Sequence, residues 1–165
     1  MSKGFNDLIE KVNTCGVKKV AVAVAQDAHV LEAVRAAKER NIAEAILVGD
    51  QAKIEEVAAA INMNLDGYEI IHVEDSYEAA LKAVSLVSEG KADMYMKGLV
   101  DTKSFLKSVL DKEVGLRTGK PLSHVAVFEV KGVDHLLFLT DVAFMTYPTL
   151  EDKANIIANT VEVAH

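Results

Sequence analysis

Apolar residues recur along this chain at two spacings, and the alternation between them sets out its architecture. Phe5, Leu8, Ile9 and Val12 fall at helical spacing and predict an opening helix over 5–13. The run Lys-Lys-Val-Ala-Val-Ala-Val-Ala at 18–25 predicts a buried strand. Val30, Leu31, Val34 and Ala37 then form one face of a helix, and 45–48 is a strand closed by Gly49 and Asp50. Ile54, Val57, Ala58 and Ile61 mark the next helix and 69–73 the next strand. Asp75, with Glu78 three residues on, reads as a capping box ahead of a helix carrying Ala80, Leu81, Val84 and Val87, which Gly90 ends. A short strand follows at 94–96 and a helix with Phe105, Leu106, Val109 and Leu110 after it.

Strands separated by helices of this length imply parallel pairing through right-handed crossovers. Helices on both faces of such a sheet explain strands that are apolar on both sides. The tail reads differently. Two β-like runs, 123–130 and 135–140, flank Lys131-Gly132-Val133-Asp134 and predict a hairpin. Thr149 followed by Asp152 predicts the cap of a last helix. The expected fold class is therefore α/β, with a mixed, mostly parallel sheet sandwiched by helices. The expected domain division is 1–139 for the first α/β domain and 140–165 for a crossover and the start of a second. Neither an internal repeat nor a low-complexity linker interrupts the pattern.

Composition narrows the function classes. Half of the 165 residues are hydrophobic and Trp is absent, so Val, Ala, Leu and Ile must fill the core. A formal charge of -7 disfavours nucleic acid and anionic membrane as bulk partners. No apolar run approaches the roughly 20 residues of a membrane span, and the start lacks a long apolar signal region. Cys15 is the one cysteine, which rules out an intrachain disulfide and fits a reducing cytoplasm. It reads as a small residue at a helix end rather than an activated thiolate. His29, His72, His135 and His165 lack metal-ligand spacing, so no metal is expected.

Against that acidic background, 97–120 holds six basic residues and three acidic ones. A basic island in an acidic chain suggests a local anion site. The segment begins where the strand ending at Met96 runs into Lys97-Gly98-Leu99-Val100-Asp101-Thr102. Ligands of open α/β sheets bind outside the carboxyl ends of strands, where free N–H groups and the helix dipole favour phosphate. Gly98 is expected to let backbone approach a ligand, and Lys97 to add a point charge. The competing reading is an ordinary strand–helix loop with solvated lysines. Neither a Walker loop nor a G-x-G-x-x-G motif is present.

Several blocks together resemble one family. Val20-Ala21-Val22-Ala23-Val24-Ala25-Gln26-Asp27, Ala45-Ile46-Leu47-Val48-Gly49-Asp50 and Gly90-Lys91-Ala92-Asp93 are similar to segments of phosphate butyryltransferases. The strongest match is Met96-Lys97-Gly98-Leu99-Val100-x-Thr102 with Phe105-Leu106-Lys107-Ser108-Val109-Leu110. Gly115-Leu116-Arg117-Thr118-Gly119, Ser123-His124-Val125-Ala126-Val127-Phe128 and Leu137-Phe138-Leu139-Thr140-Asp141-Val142-Ala143-Phe144 complete the series. The resemblance runs over essentially the whole chain and lies nearer the butyryl than the acetyl branch of the phosphate acetyl/butyryltransferases.

That resemblance implies a two-domain fold similar to isocitrate and isopropylmalate dehydrogenases, with the active site in the cleft between domains. It implies reversible transfer of a butanoyl group between coenzyme A and inorganic phosphate, without metal or covalently bound cofactor. Phosphate acetyltransferase, and a non-catalytic CoA- or phosphate-binding fragment, are the alternatives. Members of the family are longer, so the chain corresponds to an N-terminal half, its first domain incomplete and its catalytic residues expected in the other half. Acyl-CoA and phosphate are the expected partners, fermentative butanoate metabolism the setting, and a homodimer or higher oligomer the assembly.

Lys97, Gly98, Thr102, Lys107 and Arg117 are the candidate phosphate or CoA contacts, and Ser123, His124 and Asp141 the candidate cleft residues. Lys107 stands where similar enzymes carry a basic residue, often Arg, and as Lys it lacks bidentate geometry. Arg117 lies between Gly115 and Gly119, and Thr102 competes with Asp101 for the N-cap. Ser123 and His124 open a predicted strand, so as neighbours on opposite faces they are no nucleophilic dyad. Asp141 either orients a cleft residue or caps a turn.

Overall fold

The computed structural model describes residues 4–165. They divide into two compact units, Cys15–Arg117 and, with the residues through Thr14, Thr118–His165. The division differs from the expected boundary at 139/140: the hairpin region groups with the first and last helices rather than with the sheet domain.

The larger unit is built on four parallel strands, β1 (Lys18–Ala23), β2 (Ala43–Gly49), β3 (Glu69–His72) and β4 (Met94–Lys97), in the order β3-β2-β1-β4. The register places Ala21 beside Ile46, Val22 beside Leu47 and Ala23 beside Val48. Because side chains alternate along a strand, each such row belongs to one face. Val22, Ala45 and Leu47 pack against Leu31 and Val34 of the helix Ala28–Glu39, and Ile54 and Ala58 of the helix Gln51–Ala60. On the opposite face Ala21, Ala23, Ile46 and Val48 pack against Ala79, Ala80, Ala83 and Leu86 of the helix Ser76–Ser88. Alanine meets alanine there, which brings that helix close to the sheet. With α1 as Phe5–Val12, these three helices are α2, α3 and α4.

The chain thus moves outward from β1 to β3 under α2 and α3. It returns over the other face through α4 to lay β4 beside β1. The direction reverses between β1 and β4, the switch point of a doubly wound sheet. Helix α5 (Thr102–Val109) follows β4. It is tied to the core by Ser108, fully buried, whose hydroxyl donates to the Phe105 carbonyl at 2.7 Å and shares a 2.9 Å hydrogen bond with Tyr95 Oη. Phe105 stacks on the Tyr95 ring at 4.6 Å.

In the smaller unit β5 (Ala126–Phe128) and β6 (Leu137–Leu139) pair antiparallel. The expected hairpin is present, but it forms a two-stranded sheet of its own instead of making one mixed sheet. A hairpin pattern reports that two strands pair, not which sheet they join. The α/β sandwich itself is as expected. Helix α6 (Leu150–Ala164) starts with the reciprocal box predicted at Thr149 and Asp152. Asn159 ties it to the segment before β5, donating to Ser123 Oγ at 2.9 Å. The backbone N–H of Phe5 donates to Glu129 Oε2 at 2.7 Å, which fastens α1 to the hairpin. No described helix is long and apolar enough to cross a membrane.

Candidate functional site

The carboxyl edge of the parallel sheet is where this fold class binds ligands, and here it is stitched shut at the switch point. The N–H of Gly98 donates to the Ala23 carbonyl and that of Leu99 to the Val24 carbonyl, both at 2.9 Å. Val24 makes this possible by leaving the strand at φ +59, in the left-handed region, while 2% exposed. A β-branched residue held there costs on the order of 1–3 kcal/mol. A Cβ on Gly98 would stand 2.4 Å from the Val24 carbonyl oxygen and 2.5 Å from that of Ala23. Packing alone accounts for a glycine at position 98, because the exit of β1 needs the space that a side chain would fill.

The helix N-termini along the same edge are also occupied. Asp27 accepts from the Val30 N–H, Asp50 from Lys53, Asp75 from Tyr77 and Glu78, and Asp101 from Ser104, over 2.9–3.3 Å. Each carboxylate fills a place a phosphate oxygen would take, and an incoming anion would meet like charge. At α5 the side chain and N–H of Ser104 hold the Asp101 carboxyl below its usual range. This replaces the expected bare N–H cradle, and it settles the cap as Asp101, with Thr102 the first helical residue.

The five candidate contacts consequently fall into two groups. Lys97, exposed, ends β4 and with Gly98 and Thr102 precedes or begins α5. Lys107 lies in the last turn of α5, and Arg117 follows Leu116, whose N–H donates to the Val109 carbonyl at 2.8 Å. Gly98 and Arg117 thus stand at opposite ends of an eight-residue helix, about 12 Å long at 1.5 Å per residue. The structure does not gather all five around one point.

Lys107 is the one whose surroundings are distinctive. Its Nζ lies 4.2 Å from the centroid of the Tyr77 ring, in the first turn of α4. Tyr77 was not anticipated, because nothing local in the sequence signals which residues of α4 and α5 meet. Asp111, after α5, turns its Oδ1 to the Glu113 and Val114 N–H groups at 2.8 and 3.0 Å. Those N–H groups, aided by the nearby Lys107 charge, hold its carboxyl below the usual range.

In the smaller unit Ser123 and His124 precede β5 rather than opening it. Ser123 Oγ accepts from Asn159, whereas the His124 ring lies edge-on to Phe144 at 6.0 Å with Nδ1 buried and without a protein partner. The absence of a dyad thus rests on their separate surroundings and not on strand alternation. Asp141 lies two residues past β6, and its Oδ1 accepts from the Ala143 and Phe144 N–H groups at 3.0 and 3.1 Å. Burial raises its pKa, but those N–H groups and that of His124, with the His124 charge, outweigh it and leave it lowered. It caps a turn, and with Thr140, Pro148, Lys153, Ile156 and Ile157 it lines a cavity of about 330 Å³. Among the described residues no cluster of three His, Cys, Asp or Glu side chains is arranged to hold a metal.

A doubly wound α/β unit whose edge carries carboxylate caps in place of a phosphate loop does not define a nucleotide-binding protein, and comparison places it. The model of the phosphate acetyl/butaryl transferase family matches residues 4–79 and 75–165, and the chain belongs to that family. It is 61% identical over 165 residues to the phosphate butyryltransferase of Clostridium beijerinckii and, equally, to that of Clostridium acetobutylicum. All of this chain and 55% of each relative are covered. A phosphate acetyltransferase of Rickettsia felis is 38% identical, with 99% of this chain and 47% of the relative covered. The fold is similar to a branched-chain phosphotransacylase from Enterococcus faecalis V583, with a TM-score of 0.72 and 31% identity over 90% of this chain and 51% of that one. The chain spans about half the length of the curated relatives it matches.

Proposed function

We propose that the protein exchanges a butanoyl group between coenzyme A and inorganic phosphate, and that this chain supplies part of the phosphate grip. The observation that carries the reading is the 61% identity to two phosphate butyryltransferases along the whole chain, against 36–40% to phosphate acetyltransferases. In the reaction a phosphate oxygen attacks the thioester carbonyl, the tetrahedral oxyanion collapses, and the coenzyme leaves as its thiolate. Bringing a phosphate dianion to that centre requires cations that offset its charge. Lys107 and Arg117 are the proposed grip at the far end of α5, and Lys97 and Thr102 are secondary contacts before and at its start. No general base is assigned to this chain. The protein works in the cytoplasm as a dimer or higher oligomer on this reading.

The test is thiol release from butanoyl-CoA in phosphate buffer, compared with acetyl-CoA. Faster turnover of the butanoyl substrate is expected, and a preference for acetyl-CoA would move the protein to the acetyl branch. The alternative reading is CoA or phosphate binding without turnover. Calorimetric binding of coenzyme A with no thiol release would select it.

A further inference from the structure

Four lysines of the larger unit have their charge or their N–H donors committed within the fold, and Lys107 differs from them. Lys53, Lys91 and Lys18 are paired with the carboxylates of Asp50, Glu89 and Asp93 at 2.6–3.2 Å. Lys38 lies 4.1 Å over the Tyr68 ring, but it also donates to the Gly67 carbonyl at 2.9 Å and so serves the fold. Lys107 lies over a ring in the same manner, yet among the described residues its Nζ has no carboxylate partner and no carbonyl acceptor. A carboxylate would cancel its charge. A ring face attracts the ammonium through the quadrupole and leaves both the charge and the N–H donors available to an anion.

The two ends of the contact are held by the core while the arm between them is not. Tyr77 is fixed in the first turn of α4 by its N–H to Asp75 Oδ1 at 2.9 Å and by Ala79 and Ala80, buried just beyond it. Lys107 precedes the fully buried Ser108, anchored to Tyr95 and Phe105. Only the flexible four-carbon stem of Lys107 is left to be confined. Asp111, the acid close enough to feel its charge, has its Oδ1 committed to backbone.

We propose that Tyr77 is a positioning residue, whose ring face holds the Lys107 ammonium ready for the phosphate group of the substrate. This rests on the reading of Lys107 as a phosphate contact. The Tyr77 hydroxyl plays no part in it, so the ring and not the phenol is the functional element. Losing the ring releases the ammonium to its rotamers and weakens phosphate binding by roughly two- to fivefold, the worth of one exposed cation–π contact.

The experiment titrates inorganic phosphate into the full chain by calorimetry, for wild type, Lys107→Met, Tyr77→Leu and Tyr77→Phe, with melting temperatures alongside. Tyr77→Leu is expected to raise the Kd two- to fivefold at an unchanged melting temperature, Tyr77→Phe to match wild type, and Lys107→Met to weaken binding more than either. Wild-type affinity in Tyr77→Leu beside a weakened Lys107→Met overturns the positioning role alone. Wild-type affinity in Lys107→Met, or no phosphate binding by wild type, overturns the reading of Lys107 and this inference with it. A Tyr77→Phe variant as weak as Tyr77→Leu shows that the hydroxyl acts, and also overturns it. If Tyr77→Leu does not fold, Tyr77→Phe and the ring-current shift of the Lys107 ε-protons decide: an unshifted ε-methylene in wild type rejects the contact in solution.

Discussion

Leu47 in the larger unit and Leu150 in the smaller one are the same residue in opposite circumstances: the first is 0% exposed, the second 85%. Around Leu47 the sheet is covered on both faces, and β1 and β2 are buried from Ala21 to Ala23 and from Ala45 to Val48. Around Leu150 the apolar residues Tyr147, Ile157 and Val161 are half or more exposed, and Leu136 and Ile156 are the buried hydrophobics of that unit among the described residues. Hydrophobic patterning of similar strength thus yields a closed core in one unit and an open apolar surface in the other. Periodicity assigns a residue to a face of an element. Only the neighbouring elements decide whether that face is covered.

The largest effect that tests the comparison lies at Leu47. Leu47→Ala should destabilise the larger unit by about 2–5 kcal/mol, the transfer term plus a cavity between β2 and the helices over it. Urea denaturation followed by circular dichroism measures it. A loss well under 1 kcal/mol would mean that the two-sided core is looser than its burial indicates.

Gly98→Ala comes next, at about 1–3 kcal/mol for overpacking, because the new methyl group must displace the Ala23 and Val24 carbonyls. The variant also sharpens the function of the edge. If Gly98 serves the exit of β1, stability falls. If its missing side chain faced a ligand instead, phosphate binding would weaken with stability unchanged.

The same contrast explains what could be read from the chain in advance. Elements with regular apolar spacing were legible: the helices α1 to α5 and the parallel strands fall close to their predicted places, and the cap of α6 at Thr149 and Asp152 is local chemistry. Strand β1 ends two residues early because Val24 takes φ +59, which no local signal in Lys-Lys-Val-Ala-Val-Ala-Val-Ala announces. The runs at 123–130 and 135–140 shrink to three paired residues each, since β-propensity does not provide partner strands. The basic island was visible as composition. Its division between the two ends of α5 and the Tyr77 ring under Lys107 depend on how α4, α5 and β1 meet.

Acid provides a smaller and more diffuse test. In the larger unit Asp50 is lowered by its hydrogen bonds to Lys53, Asp93 by the Lys19 N–H and then Lys18, and Asp101 by Ser104. In the smaller unit Asp134 is lowered by His135 and Asp152 by Thr149. A carboxyl whose folded pKa is depressed contributes its stability above the unfolded value, near 4, and loses it as pH falls through the folded value. Urea midpoints should therefore be flat from neutral pH to about 5 and decline below about 4. A midpoint that rises on acidification would contradict the caps in both units.

The smallest expected effect is at Leu150. At 85% exposure its side chain gives up little contact with water on folding, and the capping box beside it uses Thr149 and Asp152 rather than the leucine. Leu150→Gln keeps a good helix former at the first position of α6 and should change stability by no more than about 0.5 kcal/mol. Paired with Leu47→Ala in the same urea series, it measures the gap between a covered and an uncovered apolar position directly. A loss above about 1 kcal/mol could not come from the contacts α6 makes here. It would mean that the Leu150 face is covered in solution, and a dependence of that loss on protein concentration would identify the cover as a second copy of the chain.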